Sequence, residues 1–488
     1  MAFSTDNELS GLNFGYHKIL RLGRNITCAL SVFAALGLSN ARAEPHVSAN
    51  QISIYQNSEE GKRVHILIEL CKAGFVNSAE MLLHRFPLQG PNATNRTLFI
   101  SGLIAEKRGA LPQAATNFRA ALANDPRLTM VRAELALVLA RMNEPDSAKH
   151  HLELLAADLK DPQQQAGIRS FVDSLNASHP LTFSGFVSIA PSTNINQGSS
   201  HNTLSSTNVP DSLAIDQNGN VVGGVSYNPL GTIPIEYQRQ SGIGIVAGGS
   251  ANYTKNLSER IQGVITAGVT GTYYPVTGLT GGSLNQSVEL RYLNSRGYIG
   301  LGGTANEGVD TQARALNSTS YGPRLSVLHR ITERDQLSAS LSYEWRNYPT
   351  SPTYSGNALT ASSVFTHALD SSSNLAVILG YDSVTQQIDY NSYYGGTFGL
   401  GFYKEMPHGF TVQGQGTAHL AQFYATYPYQ TFARADANLT GSLTLTKRDW
   451  NWFGFAPSLN YTYVRNFSNI SIFDFDSHSV DFRLTKDF

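Results

Sequence analysis

The sequence predicts an α-helical tetratricopeptide-repeat domain followed by an antiparallel transmembrane β-barrel of about 14 strands. Three observations lead there. The apolar period is helical between Val64 and Leu175 and becomes two from Leu181 onward. Residues 180–488 hold only 17 Lys+Arg and 20 Asp+Glu yet 33 of the 43 glycines. The chain closes on "HSVDFRLTKDF", an alternating tail that ends in an aromatic residue, whereas the ends of soluble domains ordinarily fray.

The start reads as a targeting segment. Lys18, Arg21 and Arg24 precede an apolar run from Ile26 to Leu38, and Ala41-Arg42-Ala43 offers small residues two apart for cleavage. The expected division is therefore 1–43 signal peptide, 44–179 periplasmic tetratricopeptide-like helical repeats, and 180–488 outer-membrane β-barrel. A formal net charge of −1 gives no basic field for nucleic acid. Cys28 lies in the apolar run, leaving Cys71 as the one cysteine of the mature chain, best read as a small buried hydrophobe in a helix.

In the helical half, "LFISGLIAEKRGALPQAATNFRAALANDP" (98–126) sets Gly102, Ala114, Phe118 and Ala121 where two antiparallel helices need small residues and one aromatic filler, with Pro126 as a stop. Ala148 follows Ala114 by 34 residues, one repeat length. Around it, "VRAELALVLARMNEPDSAKHHLELLAADLKDP" repeats helix, turn and helix, with Leu152 in the place of Phe118 and Pro162 as a late stop. Residues 64–86 suggest a weaker copy and "QQQAGIRSFVDSL" a cap. Such stacks present a concave surface to peptides or proteins; a helical bundle acting as a spacer is the plainer alternative.

In the second half, "QLSASLSYEWRNY" puts Leu337, Ala339, Leu341, Tyr343 and Trp345 on one face and Ser338, Ser340, Ser342, Glu344 and Arg346 on the other. The same rule sorts Ala435, Ala437 and Leu439 from Arg434, Asp436 and Asn438, and Val480, Phe482 and Leu484 from Asp481 and Arg483. Strands are expected near 181–190, 242–256, 260–275, 284–294, 296–309, 320–332, 335–348, 357–369, 374–386, 393–405, 410–425, 432–446, 452–467 and 478–488, each long enough to cross a bilayer when tilted. Even-numbered strands run into tight polar links such as "LNSRG", "KEMPHG" and "TKRDWN"; odd-numbered ones run into longer links. Short turns at one end and long loops at the other are the mark of an outer-membrane barrel. An open soluble sandwich is the rival, but it rarely uses strands this long, and Tyr273, Tyr274, Trp345, Tyr348, Tyr424, Trp450, Trp452 and Phe453 sit at strand ends as an aromatic girdle does.

Glu289 with Arg291, Glu344 with Arg346, Arg434 with Asp436, and Asp481 with Arg483 are opposite charges two apart on the polar face, so both members of each pair should point into the lumen. Bracing of neighbouring strands is the first expectation for them, substrate contact the second. No catalytic constellation emerges. No Ser, Asp or Glu is tied by spacing to His367 or His419, the pair His150-His151 is expected on the surface of a repeat helix, and no phosphate loop, HExxH or CxxC occurs. No catalytic residue, cofactor or metal is assigned.

The junction "LTFSGFVSIAPSTNINQGSS" carries a resemblance. A first strand ending in Pro191-Ser192-Thr193-Asn194-Ile195-Asn196, placed after tetratricopeptide-like repeats and ahead of a 14-strand barrel, resembles the surface lipoprotein assembly modulator (Slam) family of Gram-negative outer-membrane translocators. By itself the motif also suits a structural turn, since proline ends a ladder and asparagine caps itself. The resemblance implies that periplasmic repeats receive a client surface lipoprotein or a secreted, haemophore-like protein and that the barrel passes it to the surface or medium. It also implies contact with outer-membrane lipid and, through Phe488 at the end of the closing strand, recognition by the barrel-assembly machinery. An exopolysaccharide exporter with repeats and a diffusion porin are the alternatives.

Overall fold

A computed structural model describes residues 49–485, apart from 143, 160, 206–208, 211–226, 229–231, 236–237, 311–315, 333, 371, 429, 449 and 451–454. The leader, Trp452, Phe453, Lys486 and Phe488 lie outside the described residues.

Among the described residues eight helices come first: α1 (Ala49–Gln56), α2 (Glu60–Ala73), α3 (Val76–Arg85), α4 (Ala93–Lys107), α5 (Leu111–Asn124), α6 (Thr129–Arg141), α7 (Pro145–Asp158) and α8 (Pro162–Ser178). Their punctuation is local chemistry. Gly74 takes φ 86° to end α2, a left-handed conformation that costs glycine little. Pro162 does not stop α7, as the repeat pattern suggested. It opens α8, where its missing N–H is harmless, while the Asp161 side chain accepts from Gln163 N at 2.9 Å. Helices α4 and α5 form a tight pair because Gly102 faces the Phe118 ring; a Cβ on Gly102 would lie 2.3 Å from it. Ala114, Ala121 and Ala148 are fully buried, and Phe99 meets Phe118 at 6.0 Å between ring centroids. Cys71 is buried, and desolvation pushes its thiol up to about 12. The apolar core that these helices share draws all its members from Tyr55 to Leu175.

Fourteen strands then close on themselves in sequence order: β1 (Leu181–Ser192), β2 (Gly242–Asn256), β3 (Ile261–Tyr273), β4 (Thr280–Asn294), β5 (Gly297–Asp310), β6 (Leu316–Arg330), β7 (Asp335–Asn347), β8 (Gly356–Asp370), β9 (Ser373–Gln386), β10 (Tyr393–Met406), β11 (Phe410–Thr426), β12 (Ala433–Lys447), β13 (Ala456–Ser468) and β14 (Phe475–Thr485), with β14 pairing back to β1. All neighbours are antiparallel, and closure leaves no free edge. The outer face is apolar: on β10, Tyr394, Phe398, Leu400, Phe402 and Met406 are exposed while the alternate residues turn inward. A soluble protein would hide such a belt; a barrel in lipid presents it.

Several strands begin or end a few residues from the expected positions. β4 and β6 start four residues earlier than alternation suggested, because "TGGS" and "LNST" pair as backbone although their side chains carry no pattern. The expected start of β13 at 452 lies outside the described residues; its described part begins at Ala456. The other links after even strands run two to four residues, and those after odd strands run five or more. The helical domain meets the barrel at the short-turn end, where Thr254 N donates to Pro180 O at 2.6 Å.

Candidate functional site: the two ends of the barrel

At the short-turn end, helices and barrel are joined by buried charge. Arg132 and Glu134 interrupt the apolar run of α6, and both are fully buried, which charged side chains rarely tolerate unpaired. Arg132 crosses to the barrel and donates to Glu405 on β10, with Nη2 to Oε2 at 2.6 Å and Nη1 to Oε1 at 3.4 Å; neither side chain is exposed to solvent. Its Nη2 also donates to Pro126 O at 2.6 Å. Glu405 holds a second guanidinium, Arg448 Nη1, at 2.7 Å, and accepts from Tyr403 OH at 3.2 Å. Glu405 and Tyr403 lie on the inner face, alternate to Phe402 and Met406.

The histidine pair belongs to this junction rather than to a free helix surface. His150 Nε2 lies 3.2 Å from Tyr403 OH, and His151 Nδ1 lies 3.3 Å from Arg132 Nη1. Burial holds His151 well below the usual histidine range, with Arg132 adding to the effect. A solvent-facing helix would have left both rings wet; these two are turned toward β10 by the way α7 packs on α6. Nearby, α5 packs on the Pro407–Gly409 turn, where His408 and Gly409 take φ 62° and 71°, and Glu153 on α7 pairs with Arg330 at the end of β6 at 3.7 Å.

At the other end, the segment Pro191–Asn196 is a clamp. Asn194 and Asn196 are almost completely buried. Asn194 Nδ2 donates to Gly198 O at 2.9 Å and to Asp476 O at 3.0 Å, while its Oδ1 accepts from Gly198 N at 3.0 Å. Asn196 Oδ1 accepts from Gln240 N at 2.9 Å and its Nδ2 donates to Gln238 O at 2.8 Å. Thr193 N donates to His478 O, and His478 N returns a bond to Thr193 Oγ1, both at 2.9 Å. Ser192 Oγ meets Ser477 Oγ at 3.2 Å, and Ile195 is buried. Only glycine fits at 198, where a Cβ would lie 2.3 Å from Gln238 O. The motif therefore ties the end of β1 to the start of β14 on one side and to the approach to β2 on the other. The β1–β14 ladder is interrupted beside the motif. Among the described residues β1 pairs with β2 along all of Leu181–Ser192, and with β14 at Phe186–Ile189 and Ser192, skipping Ala190 and Pro191, whose ring has no N–H to donate. Near the clamp, Leu204 and Ile235 of the first loop form a small buried cluster with Ile470, against which Tyr427, Ile472 and Phe473 of the links before β12 and β14 pack.

The four charge pairs are found on the inner face and close within their own strands rather than across to neighbours. Glu289 and Arg291 lie 3.1 Å apart, Glu344 and Arg346 3.1 Å, and Asp481 and Arg483 3.6 Å, while Arg434 grips Asp436 most closely. Side chains two apart on a pleat point the same way and reach each other before any neighbour. The same carboxylates also accept across strands: Asp481 from Ser188 Oγ and Asn460 Nδ2 at 3.3 Å each, and Glu289 from Ser326 Oγ. Arg434 also stacks 3.4 Å over the Phe473 ring. Tyr273, Trp345, Tyr424 and Trp450 are exposed in the outer belt. Tyr274 is not: it is buried against Gly242 and Gly244 on the inner face of β2. Neighbouring strands supply carboxylates to both strand histidines, His367 to Asp335 at 2.7 Å and His419 to Asp382 at 2.8 Å. Spacing along the chain conceals such partners. Among the described residues no group of three or more His, Cys, Asp or Glu is set to hold a metal.

The family model described as surface lipoprotein assembly modifier matches residues 238–488, which hold β2 to β14. The chain belongs to the surface lipoprotein assembly modifier family. Beyond the matched segment, a surface lipoprotein assembly modifier of Pasteurella multocida (strain Pm70) is 21% identical over 455 residues, spanning 86% of this chain and 82% of that one. Similar solved structures include a Salmonella typhi OmpF complex with daunomycin, 7% identical, covering 62% of this chain and 97% of that one at a TM-score of 0.36. A Pseudomonas aeruginosa FadL homologue is 10% identical and covers 70% and 94% at a TM-score of 0.35. Membership of the modifier family and the apolar belt fit an outer-membrane role in lipoprotein surface assembly.

Proposed function

We propose that this chain is an outer-membrane translocator that delivers a client protein, a surface lipoprotein or a soluble haemophore-like protein, from the periplasm to the cell surface or medium. The observation that carries the reading is the placement of a separately cored helical domain on the short-turn mouth of a closed barrel of this family. In this account the leader 1–43 directs export, residues 44–179 form tetratricopeptide-like repeats in the periplasm, and residues 180–488 form the passage. The solenoid offers an extended docking surface for an unfolded or loosely folded client. The barrel offers a polar inner wall, and its β1–β14 seam offers a route by which an attached lipid could stay in the apolar layer while the protein crosses.

The inner-face pairs Glu289–Arg291, Glu344–Arg346, Arg434–Asp436 and Asp481–Arg483 give that wall nearly balanced charge, which suits a polypeptide of mixed sequence better than a polymer of one sign. The Pro191–Asn196 clamp holds the seam shut at its outer end, and Phe488 serves recognition by the barrel-assembly machinery. A diffusion porin has no use for helices across its mouth. The test is to compare surface-shaved and culture-medium proteins of otherwise identical Gram-negative cells with and without the gene. Movement of one protein from periplasm to surface or medium only when the gene is present supports the reading. An unchanged protein profile with altered polysaccharide export or solute permeability overturns it.

A further inference from the structure

We propose that the helical domain is a reversible lid on the short-turn mouth of the barrel and that Arg132, Glu405 and Arg448 are its latch. The placement is that of a lid. Helix α7 lies against the inner wall near the ends of β6 to β10, enclosing a space of about 210 Å³ lined by Glu153, Leu154, Arg330, Gln336, Thr366 and Asn374. Gln336, Thr366 and Asn374 alternate with the outward apolar residues of their strands and so face the lumen. What stands over them stands over the passage.

The contact is built to come apart. The helical core is complete without any barrel residue, so lifting the domain exposes no shared apolar core. Apart from the packing of α5 on the Pro407–Gly409 turn, the junction is held by ion pairs and hydrogen bonds: Arg132 to Glu405, His150 to Tyr403, and Glu153 to Arg330. Interfaces of that kind separate more readily than apolar ones.

The arrangement of charges also favours reversal. Removing one partner from a buried pair ordinarily strands the other, which is what makes such pairs hard to open. Here Glu405 keeps Arg448, which belongs to the barrel, when Arg132 departs, and Arg132 departs into water. Both states leave the carboxylate paired. The pivot is short: only His179 and Pro180 separate α8 from β1, and Pro180 is already bonded to the barrel through Thr254 N. The lid does not depend on what passes beneath it, so it stands or falls apart from the translocator reading.

The test uses the full chain in lipid nanodiscs, with Cys28 and Cys71 changed to alanine and Asn374→Cys placed under α7. The reaction followed is labelling by a polymer-linked maleimide too wide to thread the barrel from the far end. In the otherwise unaltered chain the label should attach slowly. Arg132→Met should raise the rate about tenfold or more, the response expected when a closed population gives way by over a kcal/mol. Arg448→Met, which leaves the bond between domain and barrel in place, should raise it far less. Folding is checked by the heat-dependent gel mobility of the barrel. Should Arg132→Met fail that check, Glu153→Gln, which removes only the outer Glu153–Arg330 pair, decides the matter by a smaller but measurable rise. Labelling at the unaltered rate in whichever of these variants folds overturns the lid.

Discussion

At the long-loop end the chain closes on itself through two buried asparagines that bond to backbone, whereas at the short-turn end a domain with its own core is held by a few charged side chains. The difference lies in what each closure asks of the sequence. Amide-to-backbone bonds fix one geometry, and each group left unmatched in the interior costs free energy, so such a clamp specifies a structure and resists opening. Ion pairs between separately stable bodies bring two surfaces together without fusing their cores, so they can hold a position and release it. One end is built like a seam and the other like a joint.

Damage to one body should leave the other intact. Phe118→Ala removes the ring that fills the space over Gly102 and should destabilise the helical domain by roughly 3–5 kcal/mol. If the cores are independent, helical circular dichroism melts at lower temperature while the heat-dependent gel mobility of the barrel stays put; a barrel that melts in step would show that the cores are coupled.

Next in size, Asn194→Ala takes a donor from Gly198 O and Asp476 O inside the clamp, leaving Gly198 N its longer bond to Asn196 Oδ1, and should cost about 1–3 kcal/mol. The barrel should unfold at lower temperature, and hydrogen exchange should rise first in β1 and β14. Faster exchange spread evenly over all strands would deny the clamp a local role.

A pH titration probes the joint. Burial, then Arg132, His150 and Arg448, hold His151 below the ordinary histidine value near 6.5, with Glu405 acting in the opposite sense. The unfolded or undocked histidine therefore binds a proton first. The contribution of the neutral ring is complete above about pH 6.5 and is lost as pH falls below it. Limited proteolysis at the helix–barrel junction should accelerate between neutral and mildly acidic pH in the natural chain and much less in His151→Gln. Equal acceleration in both removes His151 from the account.

The smallest effect is expected at the inner wall. Glu344→Gln breaks a partly exposed pair within one strand and should shift barrel stability by about 1 kcal/mol or less, read from the midpoint of the thermal gel shift.

How far the sequence reveals these regions follows from the range of the interactions. Alternation within ten residues shows the strands and which face of each meets lipid, and the Gly102, Ala114, Phe118 and Ala121 spacing shows a close helix pair, because both are local patterns. The start of β4 at Thr280 is hidden, since glycine and serine pair in a ladder without advertising a face. The partners of the clamp at Asp476 and His478 lie about 280 residues away from it, and nothing near Asn194 points to them. The joint did leave a trace. Arg132 is a charged residue inside an apolar helical run, and Glu405 is an inward acid at the rim; their pairing appears only when α6 is laid on β10.

The most direct measurement is site-specific photo-crosslinking during export, with one reactive residue on the helical surface at Lys107 and another on the inner wall of the barrel at Ser340. The same client protein should be captured at both positions, first at Lys107 and then at Ser340 in a pulse of synthesis. Capture of a client at neither position, in cells that still display their surface lipoproteins, would contradict the translocator function.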